Sequence, residues 1–189
     1  ALEGPPETIV DTVRASGLRG RGGAGFPTGR KWRLAAESRS NAKVVICNAD
    51  EGDPGAYMDR TLIESNPHQL IEGIAIAAYA IGAASAMVYI RAEYPLAVKT
   101  LENAISQAQT AGLLGKAILG SPFDLSLDVF QGSGAFICGE ETALIRSIEG
   151  HRGMPQVRPP YPAEEGLFGA PTLINNVKTL VSVVPIVAH

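Results

Sequence analysis

The chain has 189 residues, 46% of them apolar, with 21 Gly, 13 Pro and a formal net charge of −3. That is enough for one domain with a real core, which excludes a disordered or collagen-like segment, and the weak charge gives no field to draw nucleic acid or an acidic membrane surface. Two cysteines, Cys47 and Cys138, can neither frame a disulfide scaffold nor supply four ligands to a metal or iron–sulfur cluster.

The first residues lack the basic and apolar regions of a secretory signal, so the expectation is a cytoplasmic protein. Pro5, Pro6 and Glu7 start a short helix that Gly17 ends. Thr28 is placed to cap a helix carrying Trp32 and Leu34. The β-branched run KVVIC at 43–47 predicts a buried strand. A helical turn or two follows from Asp59, and Pro67 takes the first position of the next helix. Residues 73–90 run 18 positions without a charge. Gly82, Ala83, Ala84 and Ser85 interrupt that run, and a spanning helix needs about 20 apolar residues. It reads as a buried helix over 67–81 and a strand over 87–91, not as a membrane span. Pro95 begins a long amphipathic helix, with Leu96, Leu101 and Ile105 on one side, that ends by Gly112. Residues 125–130 alternate like a strand, 140–148 return to helix, and 175–187 read as a last helix with an Asn cap. This alternation predicts a single layered α/β domain, strands flanked by helices, without repeat or linker.

Two stretches fit no regular element: residues 17–29, with six glycines, and residues 153–171, with five prolines. Long irregular segments in a compact domain are usually functional. The first, GLRGRGGAGFPTGRKW, bares backbone amides ahead of a helix N-terminus, flanked by Arg19, Arg21, Arg30 and Lys31, which suits a phosphate. It lacks the GK[ST] of a P-loop and the preceding strand of a dinucleotide fingerprint. A structural glycine turn and an RNA-binding RGG segment are its other readings. A second motif, CNADEGDPG, follows the 43–47 strand, where α/β sheets bind ligands. Its carboxylates and Asn48 can grip sugar hydroxyls; a cation or a solvated turn are the alternatives. In GSGAFICGEETAL two glutamates open a helix, where they also complement its dipole, and Cys138 reads as structural. In INNVKTL one Asn can cap the helix while Asn176 and Thr179 share a face.

In order and spacing these four motifs resemble the flavin-bearing, NADH-oxidising 51 kDa or F subunit of respiratory complex I and the related flavin subunits of NAD-linked hydrogenases and formate dehydrogenases. The wording DEGDPGAYMDR is nearer to the hydrogenase and formate dehydrogenase branch. The resemblance covers nearly the whole chain and implies an FMN- and NADH-binding domain over 1–189, with residues 17–29 as its glycine-rich FMN-binding loop. It further implies hydride transfer from NADH to flavin N5 and single electrons passed to iron–sulfur clusters of other subunits. By motif, Gly22, Gly23, Ala24, Lys31, Asn48, Asp50, Glu51, Gly139, Glu140, Asn175, Asn176 and Thr179 would contact FMN, with Lys31, Asn176 and Thr179 at its phosphate. Phe26 and Tyr161 would flank the adenine, and Asp53, Glu141 and Arg158 would meet the rest of NADH. Glu140 or Glu51 is the carboxylate expected to tune the flavin potential.

Four departures from the family pattern stand out. Phe136 replaces a common Tyr, Leu34 a possible aromatic, and Asp53 and Arg158 a longer acid and a lysine. A [4Fe–4S] segment is expected only in the C-terminal part that such relatives carry, together with a place peripheral to the inner side of a membrane. The other readings are a flavin-free interaction or assembly subunit, and a flavin protein using a donor other than NADH.

Overall fold

The computed structural model describes residues 2, 4–40, 42–53, 55–132 and 136–189, Phe136 by its backbone alone. Four strands form one parallel sheet: β1 (Val44–Ala49), β2 (Ser85–Arg91), β3 (Ser126–Gly132) and β4 (Thr172–Asn176). Their order is β3-β2-β1-β4. Among the described residues seven α-helices surround it: α1 (Pro6–Ala15), α2 (Thr28–Glu37), α3 (Met58–Ser65), α4 (Pro67–Ile81), α5 (Pro95–Thr110), α6 (Glu141–Ile148) and α7 (Val177–Ala188). The α/β class is as expected.

Apolar runs put β1 and β2 in the middle of the sheet. Val45, Ile46 and Cys47 are fully buried, as a strand covered on both faces requires. On one face α4 packs against α7, and Gly73 makes this approach feasible. A Cβ there would lie 2.3 Å from the Leu180 carbonyl oxygen. Gly82, in the left-handed region at φ 74°, ends α4 by the Ala83 N–H to Ala78 O bond of 2.8 Å. At this N-terminal end of the sheet Lys43 donates to the carbonyls of Ala36 (2.6 Å) and Ile81 (3.0 Å), tying the ends of α2 and α4 together.

Four local expectations change. Residues 172–176 form β4, pairing with β1 from Val44↔Thr172 to Asn48↔Asn176, and the last helix starts only at Val177. Pairing with the buried central strand outweighs the helical reading of INNVKTL. Thr28 is the first residue of α2, and its buried hydroxyl has no hydrogen-bond partner among the described residues, so it accepts from no helix N–H and does not cap. Leu96 is exposed, while Leu101 and Ile105 are buried. Glu140 precedes α6 as its cap and is not its first residue.

The strand order creates a switch point. From β1 the chain crosses to β2 on one side, and β4 lies on the other. Ligands of open parallel sheets sit beyond the carboxyl ends of strands at such a reversal.

Candidate functional site

A cavity of about 580 Å³ opens there, within the range of ligand sites. Asn48 from the end of β1 and Ile174, Asn175 and Asn176 from β4 form its floor. Around them stand the glycine loop, the first turns of α2, the Gly139–Glu141 turn and the proline-rich segment.

The glycine loop folds back on itself by bonds from Gly20 N–H to Phe26 O (2.9 Å) and Thr28 N–H to Leu18 O (2.9 Å). Its outer turn needs glycine at two points, Gly23 (φ 104°) and Gly25 (φ 63°). Gly22 lies against β4: a Cβ there would touch the Asn176 Cβ at 3.4 Å, an ordinary van der Waals contact. The loop is fastened to α7 by the Arg21 N–H, which donates to the Thr179 hydroxyl at 2.9 Å.

Lys31 links two walls. It donates to the Ile174 carbonyl at 2.7 Å and pairs with Glu141. Trp32, one residue on, is fully buried, and its indole N–H donates to Asn175 Oδ1 at 2.8 Å. The NH₂ is therefore the group Asn175 can offer a ligand. Asn176, not Asn175, caps α7, accepting from the Lys178 N–H at 2.9 Å. Asn48 joins two motifs: its Nδ2 donates to the Gly139 carbonyl at 2.9 Å and its Oδ1 accepts from the Asp50 N–H at 3.0 Å.

Glu140 uses both carboxylate oxygens. One accepts from the N–H groups of Thr142 (2.9 Å) and Ala143 (3.1 Å) and from the Thr142 hydroxyl; the other pairs with Arg158. Although partial burial opposes ionisation, those hydrogen bonds and the guanidinium hold its carboxyl below the usual range. Arg158 also stands 3.8 Å from Glu141, so both acids of GEET share it. Phe26, Leu34 and Tyr161 are half-exposed at the rim, with the Arg30 guanidinium 5.8 Å from the Phe26 ring centre.

Of the residues singled out by sequence, Gly22, Ala24, Phe26, Lys31, Asn48, Gly139, Glu140, Glu141, Arg158, Tyr161, Asn175 and Asn176 line this cavity. The others lie elsewhere. Thr179 is wholly buried behind the glycine loop, and Gly23 is exposed on it. Asp50 sits beneath Gly139, with its carboxylate 1% exposed and 3.8 Å from Arg91. Burial pushes its pKa up to about 6, against the pull of Arg91. Glu51 is turned away. It accepts from the N–H groups of Met58 (3.0 Å), Asp59 (3.0 Å) and Arg60 (3.3 Å), capping α3. The unpaired amides of that helix, not a place beside the cavity, explain its position. With Asp53 it lines a separate hollow of about 400 Å³ that also includes Arg60, Arg91 and Tyr94.

Gly20, Gly25, Ile174, Pro162 and Ala163 also line the cavity without having been singled out. Ile174 was hidden because it falls just before the helix expected over 175–187, in a stretch given no strand. Trp32 was signalled, since a buried indole needs an acceptor. Residues 133–135, the Phe136 side chain and Pro54 lie outside the described residues, so the departure at Phe136 is not addressed. Both cysteines are buried, and burial raises the Cys47 thiol well above its ordinary range. Among the described residues no cluster of His, Cys, Asp and Glu is arranged for a metal.

The fold and this cavity define a class: parallel α/β domains that take a nucleotide-like cofactor at the switch point. Comparison with known proteins narrows it. The signature of the Nuo51 FMN-binding domain matches residues 13–185, and the chain belongs to this complex I 51 kDa family. The F subunit of the NADH-quinone oxidoreductase of Aquifex aeolicus is 56% identical over 97% of this chain and 43% of its own length. The HndC subunit of the NADP-reducing hydrogenase of Solidesulfovibrio fructosivorans is 54% identical over 97% of this chain and 37% of its own. A crystal structure of an NAD⁺-reducing [NiFe]-hydrogenase superposes with a TM-score of 0.91 at 45% identity, covering all of this chain and 32% of that one. The chain thus spans less than half the length of the curated relatives it matches.

Proposed function

We propose that this chain is an FMN-dependent NADH-oxidising module that works within a larger electron-transfer assembly. The observation that carries the proposal is the switch-point cavity itself. One wall is glycine backbone; another carries Lys31, Asn175 and Asn176; the far rim is aromatic and apolar. Bare amides, carboxamides and an ammonium group fit a phosphorylated, hydroxyl-rich cofactor, and Phe26, Leu34 and Tyr161 offer surfaces for a planar base. Family membership and the names of the relatives point the same way.

When bound, FMN supplies the hydride acceptor and the conversion of two-electron to one-electron chemistry. The chain's own residues bind and orient. The glycine loop and the α7 N-terminus would receive the phosphate end, with Lys31 adding charge. Asn48, Gly139 and Asn175 would hold the middle of the cofactor. Phe26 and Tyr161 would take the adenine of NADH, with Glu141 and Arg158 meeting the remainder. No side chain needs to act as a general base, because hydride transfer depends on proximity and stacking geometry. Glu140, ionised and fixed by Arg158, would set a negative charge at the cavity wall. Asp50, Glu51, Asp53, Gly23 and Thr179 would act from behind that wall or across the neighbouring hollow.

Electron-transfer partners bearing iron–sulfur clusters, and attachment to the inner side of a membrane through such partners, complete the proposal. Among the described residues no helix is long and apolar enough to cross a membrane. The test is to titrate FMN into the purified chain, follow the flavin fluorescence, then add NADH without oxygen. Saturable quenching followed by bleaching of the visible band is expected. Failure of FMN to bind in excess overturns the proposal.

A further inference from the structure

Asp59 is given no contact with the cofactor or NADH above, yet it is a carboxylic acid only 5% exposed. It lies in the first turn of α3, and its own N–H is among the amides that Glu51 caps. Its Oδ2 accepts from Asn176 Nδ2 at 2.5 Å, while Oδ1 is buried without a hydrogen-bond partner among the described residues. Leaving one oxygen of a buried carboxylate unpaired costs stability, so its bond to Asn176 is the contact that could justify an acid here.

The chemistry of the pair suggests what that is. An Asn carboxamide can present either end, whereas an ionised carboxylate only accepts. Asp59 therefore selects the Asn176 orientation in which Nδ2 faces α3 and Oδ1 faces the Lys178 N–H, which it receives at 2.9 Å. With that orientation fixed, Asn176 caps α7, and its Cβ stands where Gly22 of the glycine loop lies against it. Thr179, at the third position of α7, then holds the Arg21 N–H. One buried acid thus underlies both the helix N-terminus and the glycine loop.

We infer that Asp59 is a positioning residue for the phosphate end of the cofactor, acting through Asn176. The inference rests on the FMN reading above and deepens it by naming what prepares the anion-binding end. Glu51, Lys178 and Cys47 are the other titratable groups that influence Asp59. Burial and the Glu51 charge push its pKa up to about 6 against the Asn176 bond and the Lys178 backbone and charge, so it is ionised at neutral pH and above.

The experiment compares FMN with riboflavin, which lacks the phosphate, on the purified chain at pH 8. Wild type should bind FMN more tightly. Asp59→Leu, close in size but unable to accept, should weaken FMN about 10-fold, the size of one charge-assisted hydrogen bond, and riboflavin less than about 2-fold. Asp59→Asn, which accepts but does not dictate orientation, should fall between and covers the case in which the leucine variant fails to fold. In an Asn176→Ala background the Asp59 substitution should add nothing further. Equal weakening of both flavins, no weakening of either, or an undiminished effect in the Asn176→Ala background overturns the inference. If wild type binds neither flavin, the FMN reading itself has failed. If wild type binds both alike, only the phosphate assignment has failed.

Discussion

Glu51 and Glu140 come from corresponding places, each in a motif that follows a strand and each near the start of a helix, but they meet different partners. Glu51 caps α3 from the far side of the acidic loop and has no place on the cavity wall. Glu140 caps α6 with one oxygen and gives the other to Arg158, at the edge of the cavity. Both obey the same rule: a carboxylate beyond a strand is captured by the nearest unpaired helix amides. What separates them is the side of the helix on which the cavity opens. Capping thus explains the shared acidity of the two motifs, while ligand contact concerns only one.

The largest effect expected from this division is at Lys31, the cation on the cavity side. Lys31→Met removes the nearer of the two cations paired with the half-buried Glu141, and a donor to β4. It should weaken FMN binding on the order of 100-fold, as truncating one member of a desolvated charge pair does. Arg60→Met, on the Glu51 side, should change FMN affinity less than about 3-fold. Fluorescence titrations of both variants check this, and equal losses would break the division. The two caps should then look alike in stability, since each holds helix amides: Glu51→Ala and Glu140→Ala should each cost roughly 1–2 kcal/mol in urea unfolding of the flavin-free chain. An unaffected Glu51→Ala chain would remove the capping account of that residue.

A comparable effect, visible only with pH, is expected beneath the cavity. The Asp50 pKa of about 6 exceeds its unfolded value of roughly 3.9, so between those values the folded state holds the proton more tightly. Its contribution to stability is fully present below about pH 4 and is lost as pH rises through 6. Asp50→Asn abolishes that loss. The variant should gain about 2 kcal/mol relative to wild type at pH 7.5 and keep little of the gain at pH 4, as urea midpoints at the two pH values will show. A gain independent of pH would contradict the assignment. The smallest effect concerns the rim, where Leu34 is half-exposed beside the cavity. Leu34→Phe should lower KM for NADH a few-fold through an added aromatic contact of roughly 0.5–1.5 kcal/mol, with kcat little changed.

Much of the fold was legible because its signals are local and strong. The β-branched run of β1, the proline at the head of α4 and Gly82 at its end each act through their own backbone preferences. β4 was not legible, since five residues rich in Asn acquire strand character only by pairing with β1. The site divided along the same line. Motif glycines and cavity-lining polar residues could be named from the pattern. Nothing local in DEGDP says that Glu51 turns outward, because that depends on where α3 begins relative to the loop. Asp59 was invisible for a related reason: its role depends on meeting Asn176, 117 positions away.

The reduction potential of bound FMN tests the division between the two acidic motifs most directly. Wild type, Glu51→Gln and Glu140→Gln should be loaded with FMN and titrated side by side. If the Glu140 charge lies at the flavin wall and that of Glu51 does not, Glu140→Gln should raise the midpoint while FMN stays bound, and Glu51→Gln should leave it where wild type has it. A shift in Glu51→Gln with none in Glu140→Gln would contradict the account.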